Sequence, residues 1–276
     1  MSLAPCPKPE ATAFLKSLGV APSYLNPEFD RCYCRHCYEG PKTIDNEGPT
    51  PYVVPGGGWV RFGLHPVGGE QRAQALDIFN KWSACFHGVK SADFLKSIFE
   101  NGGLMKPGDY QSSEEGPKLK KARSGNSDGR EDKVVYTSPT IKYAGLKYYA
   151  EPVTFTTAAG AEMRGSIVLQ CRQKPGSFKK QAETMGFERD MPGHLMEHCP
   201  NVNLAEIEWK TKAERAVIPY GLLVRVWLKG NDQDAEAYSS PVDGETMWWV
   251  KEEEVEWRRG DQVKYEYSLI ELLIVY

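Results

Sequence analysis

Residues 83–103 read SACFHGVKSADFLKSIFENGG, and the reading of this stretch decides the fold. Ser83–His87 is apolar enough for a strand, and His87-Gly88 closes it. Ser91 is a good cap for a helix over Ala92–Glu100, with Asp93 in the first turn, where the helix dipole favours an acid. Phe94, Leu95, Ile98 and Phe99 recur at helical spacing and make one apolar stripe. Asn101-Gly102-Gly103 then ends the helix. A strand, a His-Gly turn and a helix make a compact βα unit.

On the N-terminal side, Glu10–Leu18 reads as an amphipathic helix with Phe14, Leu15 and Leu18 on one face, stopped by Gly19. Trp59–Leu64 reads as a short strand, and Gln71–Lys81 as a helix with Ala75, Leu76 and Phe79 inward. On the C-terminal side, residues 109–133 hold almost no apolar residue and read as a mobile loop, because they bury too little to offset ordering entropy. The KLKKAR run at 118–123 sits within it as a solvated charge cluster. Val134–Thr137 is a strand. Ser138-Pro139 opens a helix, with Ser138 as cap, that runs through Ile141 to about Ala150. Strands follow at Val153–Thr157, Gly165–Arg172, Ala205–Thr211 and Val217–Trp227, with 174–200 as a connection. Helices early and strands late predict an α+β fold.

The chain's 276 residues suit one large domain or two small ones, and 41% hydrophobic with 11% aromatic residues supplies a substantial core. Thirty-four basic against 37 acidic residues leave a formal charge of −3, which removes the electrostatic case for general nucleic-acid binding. No apolar run approaches the roughly 18 residues of a membrane helix. The opening MSLAPCPKPEA lacks a secretory signal's basic start and apolar stretch. Seven cysteines are an odd number without regular spacing, so a reduced, intracellular and cytoplasmic protein is expected rather than a disulfide scaffold.

Three polar features fall on or beside predicted strands: His87-Gly88, Tyr136-Thr137-Ser138 and Glu206-Ile207-Glu208-Trp209. On a strand, Glu206 and Glu208 face one side and Ile207 and Trp209 the other. A fourth feature is the cluster Cys32, Cys34 and Cys37 around His36. Cys34-x-x-Cys37 has the spacing of a zinc knuckle, and Cys6, Cys199, His194 and His198 are the candidates to complete it. Structural zinc is therefore a candidate cofactor. Cys85 and Cys171 fall in predicted strands and read as core.

The order of these motifs resembles the ADP-ribosyltransferases of the His–Tyr–Glu group, which include the poly(ADP-ribose) polymerases. The nearer resemblance is to a branch at the C-terminus of Neuralized-like proteins and in stand-alone fungal and protist proteins. It rests on FDRCYCRHC, GWVRFGL, FHGVKSADFLKSIFENGGLMKPGD, VVYTSPTIKYAGLKYYA, IVLQCRQKPGSFKKQAET and EIEWKTKAERAVIPYGLLVRV, which together span about residues 28–227. The resemblance implies a split, curved β-sheet with flanking helices over 59–228. Residues 1–58 would be an N-terminal helix and Cys-rich segment. Residues 229–276 would be a Trp-rich extension, with Trp248, Trp249 and Trp257 packed on the main domain.

The same resemblance implies NAD as substrate. His87 would hydrogen-bond a ribose hydroxyl, the Gly88 backbone would pair with the nicotinamide amide, and Tyr136 and Ser138 would line the pocket. Tyr143 would stack on the ring. Glu208 would accept a hydrogen bond from the ribose 2′-hydroxyl, with Glu206 as the alternative and Glu214 as a third reading. Val89 stands where many relatives carry Thr or Ser, and no polymerase-type helical domain is visible. The implied activity is mono-ADP-ribosyl transfer to a macromolecular acceptor, a protein, with release of nicotinamide. The alternative is a catalytically inactive module that binds a protein or an ADP-ribose-type ligand.

Overall fold

A computed structural model describes residues 6–34, 36–56, 58–66, 68–100, 103–104, 134–182 and 202–230. The chain divides into Met1–Asp243 and Gly244–Tyr276. All described residues belong to the first unit, so the expectations for loop 109–133 and for the Trp-rich tail lie outside them.

The architecture is mixed α+β, built on antiparallel strands. Six strands form the main sheet: β1 (Arg31–Cys32), β4 (Trp59–Gly63), β5 (Ser83–Val89), β7 (Val153–Thr156), β8 (Glu162–Gln173) and β11 (Val217–Leu228). Their order is β1-β4-β11-β8-β5, with β7 also on β8. A second sheet has the order β6-β10-β9, from Val135–Thr137, Glu208–Thr211 and Phe178–Gln181. β2 (Thr43–Ile44) and β3 (Tyr52–Val53) pair separately.

Alternation along the central strands sorts the core into two faces. Val60, Phe62, Cys85, Leu169, Cys171, Leu222 and Val224 lie on one, under helix α1 (Lys8–Ser17) and helix α4 (Ala92–Glu100). α1 delivers Ala11, Phe14 and Leu15 to that face, and the Phe14 ring meets Phe155 at 5.0 Å. Trp59, Ala84, Phe86, Val168 and Leu223 lie on the other, covered by Tyr33, Ile44, Tyr52 and Val54 of the N-terminal strap and by Ile141 and Ala144. Arg172, 1% exposed, ties that strap down by donating to the Glu47 carbonyl (2.6 Å) and carboxylate (3.3 Å). Arg61 donates to the Phe29 carbonyl at 2.7 Å and so anchors the 3₁₀ turn ahead of β1.

Several expectations are corrected. Gln71–Lys81 is two helices, α2 (Glu70–Ala75) and α3 (Ile78–Lys81), because Asp77 turns left-handed at φ 49° between them. The break rotates Ala73 and Ile78 inward and leaves Ala75 and Leu76 exposed. The helix expected from Ser138 is the short α5 (Ile141–Ala144), capped by Thr140, whose Oγ1 accepts from the Lys142 N–H. Ser138 is extended instead and pairs with Phe86. Finally, Ala205–Thr211 is not one strand: Leu204–Glu206 is a 3₁₀ turn, and β10 starts at Glu208. β9 lies in the stretch expected to be a plain connection, and the His-Gly step expected as a turn is ladder, since β5 runs on to Val89.

Candidate functional site

The two larger sheets meet where β5 and β6 approach. Their only backbone pairing among the described residues is one bridge, with Phe86 N–H to Ser138 C=O at 2.8 Å and Ser138 N–H to Phe86 C=O at 2.9 Å. Beyond it the strands part. Phe86 turns its backbone groups away from β8 to make this bridge. By the two-residue period of a strand, Gly88 turns its own N–H and C=O the same way, away from β8 and toward the side of β6.

His87 closes the junction with its ring. Nδ1 lies 2.6 Å from the Tyr136 carbonyl oxygen. A carbonyl only accepts, so Nδ1 carries the proton and the neutral ring keeps Nε2 as a bare acceptor. Burial lowers the pKa of His87 and Lys90 adds to that, against the opposing effect of the Tyr136 hydrogen bond. The ring also packs beside Phe94, centroids 5.8 Å apart.

Register fixes the acid. Lys210 pairs with Tyr136 and Glu208 with Gln181, so Glu208, Lys210 and Tyr136 share one face of the smaller sheet. Val135 and Trp209 turn to the opposite side and join the core. Glu208 is 2% exposed. A buried carboxylate needs donors, and two are present: Tyr143 Oη–H donates to Oε2 at 3.0 Å, and Gln181 Nε2–H to Oε1 at 2.6 Å. Tyr149 continues the chain through its hydroxyl bond to Tyr143, with the rings 4.8 Å apart at 46°.

Gly88 fits under this group because it has no side chain. A Cβ there would lie 2.5 Å from the Ala144 carbonyl oxygen and 2.5 Å from the Tyr149 backbone. The segment after β6 thus lies directly on the His-Gly step of β5.

His87, Gly88, Tyr136, Ser138, Tyr143 and Glu208 therefore converge on the split. The other two acids do not join them. The expectation that Glu206 shares a face with Glu208 is overturned by the 3₁₀ turn: Glu206 is exposed and ion-paired to Lys180 at 2.7 Å. Glu214 is exposed in the turn after β10, at the end opposite Glu208. The Gln181 amide and the Tyr149 hydroxyl carry no functional signal in the sequence. A glutamine in a lysine-bearing stretch carries no local signal, and only register reveals it.

The cysteines form a separate group. Cys32 and Cys34 lie at the β1 edge, Cys37 one turn beyond, and Cys6 just ahead of α1. Their four sulfurs all lie within 4.8 Å of one another, and such a group is able to hold a metal ion. Of the candidate completions, Cys6 is the one brought in; Cys199, His194 and His198 lie outside the described residues. No helix among the described residues is long and apolar enough to cross a membrane. In comparisons with known proteins, no family model matches the chain and no solved structure matches it.

Proposed function

We propose that this chain is an NAD-dependent mono-ADP-ribosyltransferase with an ADP-ribosyltransferase-like split sheet, acting on a protein acceptor and releasing nicotinamide. The observation that carries the reading is Glu208: a carboxylate with 2% exposure, held on both oxygens by Gln181 and Tyr143, on the strand paired with β6 where the two sheets meet. It supports the roles that the motif order suggests.

The backbone N–H and C=O of Gly88 match the two hydrogen-bonding halves of a carboxamide, which would seat nicotinamide at the split. Nε2 of the neutral His87 would accept from a ribose hydroxyl. Tyr136 and Ser138 would line the pocket, and the Tyr143 ring would flank the base. Glu208 would accept a hydrogen bond from the 2′-hydroxyl. As the bond from the ribose to nicotinamide stretches, positive charge develops at the anomeric carbon, as in glycoside cleavage. A fixed carboxylate beside that charge stabilises the transition state more than the ground state. Gln181 and Tyr143 hold the carboxylate in place, so little reorganisation is needed as charge develops. The proposal gives the four cysteines a structural zinc and no part in this chemistry.

The test is nicotinamide release from NAD by the purified chain, with intact-mass analysis of acceptor proteins, for wild type, Glu208→Gln and His87→Ala. Release and an ADP-ribose mass addition that both variants lose are the expected result. Absence of release, with NAD or ADP-ribose still binding to the wild type, would overturn transferase activity in favour of a binding module.

A further inference from the structure

The geometry points to one zinc ion bound by Cys6, Cys32, Cys34 and Cys37 as a closed four-thiolate site that pins the start of α1 to the β1 edge of the main sheet. The inference stands apart from the NAD reading and shares no residue with it.

The distances carry it. Four sulfurs each about 2.3 Å from a central zinc in a tetrahedron lie about 3.8 Å from one another. Cys6 Sγ lies 3.8 Å from Cys32 Sγ and 3.7 Å from Cys37 Sγ, and all four sulfurs fall within 4.8 Å. A disulfide would bring one pair to about 2.05 Å and leave the others apart. Cys6 instead stands almost equally far from two partners, which is the signature of a shared centre. The chain between the last two ligands is already folded for it: the N–H groups of Cys37 and Tyr38 both donate to the Cys34 carbonyl at 3.0 Å, so Cys34 and Cys37 turn back on one another.

The position explains why a metal is needed. Among the described residues of 33–56, the regular elements are two strands of two residues each. This stretch nevertheless buries Tyr33, Ile44, Tyr52 and Val54 against the second face of the sheet. α1 buries Ala11, Phe14 and Leu15 on the first face, and its first turn has no side-chain cap bond. A metal at the β1 edge joins the covers of both faces around an edge that secondary structure alone leaves weakly closed. Four thiolates fill the coordination of zinc and leave no open position, so the site is structural rather than catalytic.

The experiment is a cobalt(II) titration of the full chain after chelation under reducing conditions, read by absorption, followed by displacement with zinc. The expected result is one cobalt per chain, with the ligand-field and thiolate charge-transfer bands of a tetrahedral sulfur site, bleached by one equivalent of zinc. Cys6→Ser should weaken metal affinity by more than the roughly 10–100-fold that loss of an outer-shell partner costs. Cys6→His should restore four-coordinate binding with weaker charge-transfer absorption. Cobalt bound without tetrahedral thiolate bands, or none bound, overturns the site. A spectrum and affinity unchanged in Cys6→Ser overturn the assignment of Cys6.

Discussion

Tyr143 and Glu208 are joined by a 3.0 Å hydrogen bond between a helix that follows β6 and a strand that arrives much later in the chain. Gln181 takes the other carboxylate oxygen at 2.6 Å, so two elements on either side of Glu208 fix its direction. A carboxylate held in this way belongs to the folded scaffold as much as to any reaction.

Gln181 should therefore behave as a positioning residue. Gln181→Leu keeps the side chain's bulk and removes the donor to Glu208. Nicotinamide release should fall about 10-fold or more in kcat, with KM for NAD little changed, since the loss falls on transition-state placement. Steady-state kinetics of the variant check this, and an equal rise in KM would refute it.

Glu206→Ala separates the two acids. The Glu206–Lys180 pair spans 2.7 Å with both side chains 49% exposed, and exposed pairs contribute at most about 1 kcal/mol. Activity should match wild type and urea-unfolding stability should move by less than about 1 kcal/mol. Loss of nicotinamide release in this variant would return Glu206 to the site.

Gly88→Ala tests the close approach of β5 to the segment after β6. The added Cβ meets backbone at 2.5 Å from two directions, so neither neighbour yields by a side-chain rotation. Overpacking of this kind costs about 1–3 kcal/mol, and the variant should lose that much in chemical unfolding along with NAD cleavage. Wild-type stability in Gly88→Ala would contradict the packing described.

His87 predicts an acid limb. Its folded-state pKa lies below the unfolded value of about 6.5, so below that pH the unfolded chain binds more protons than the folded one. The contribution of His87 to stability is intact above about pH 6.5 and declines as pH falls toward the folded pKa. NAD affinity should hold through that range and decline only as pH falls through the lower folded-state pKa, where protonation of the ring removes the Nε2 acceptor. Urea midpoints of wild type and His87→Gln measured from pH 8 to 5 should show the wild type losing more stability over the acid part. Parallel curves would remove His87 as the titrating group.

Much of this arrangement is legible in the sequence, because β5 and the strand before Ser138 carry their own strand signals, although His87-Gly88 lies within the ladder and not at a turn. The α+β class and the long strands β8 and β11 are legible for the same reason. What is not legible depends on partners distant in sequence. Glu206 and Glu208 look equivalent until the Asn203 side chain accepts from the Ala205 N–H and bends the chain into a 3₁₀ turn just ahead of β10. The helix after Ser138 begins only at Ile141 because Ser138 is claimed by Phe86, a contact that no local pattern announces. Cys6 joins Cys32 and Cys37 only because α1 packs on the sheet.

The strand order also bears on how the protein is made. β5 pairs with β8, β6 with β10, and the long edge of β4 with β11, so the early strands wait for late ones. At roughly 5–20 residues per second, β11 leaves the ribosome on the order of ten seconds after β5. Over that interval Trp59 and Phe62 of β4 lack their β11 partner, and the closing loops are long, which slows folding. The nascent first half is thus a natural client for holding chaperones, and chains cut before β11 should be retained as insoluble or chaperone-bound fragments rather than as a smaller folded domain.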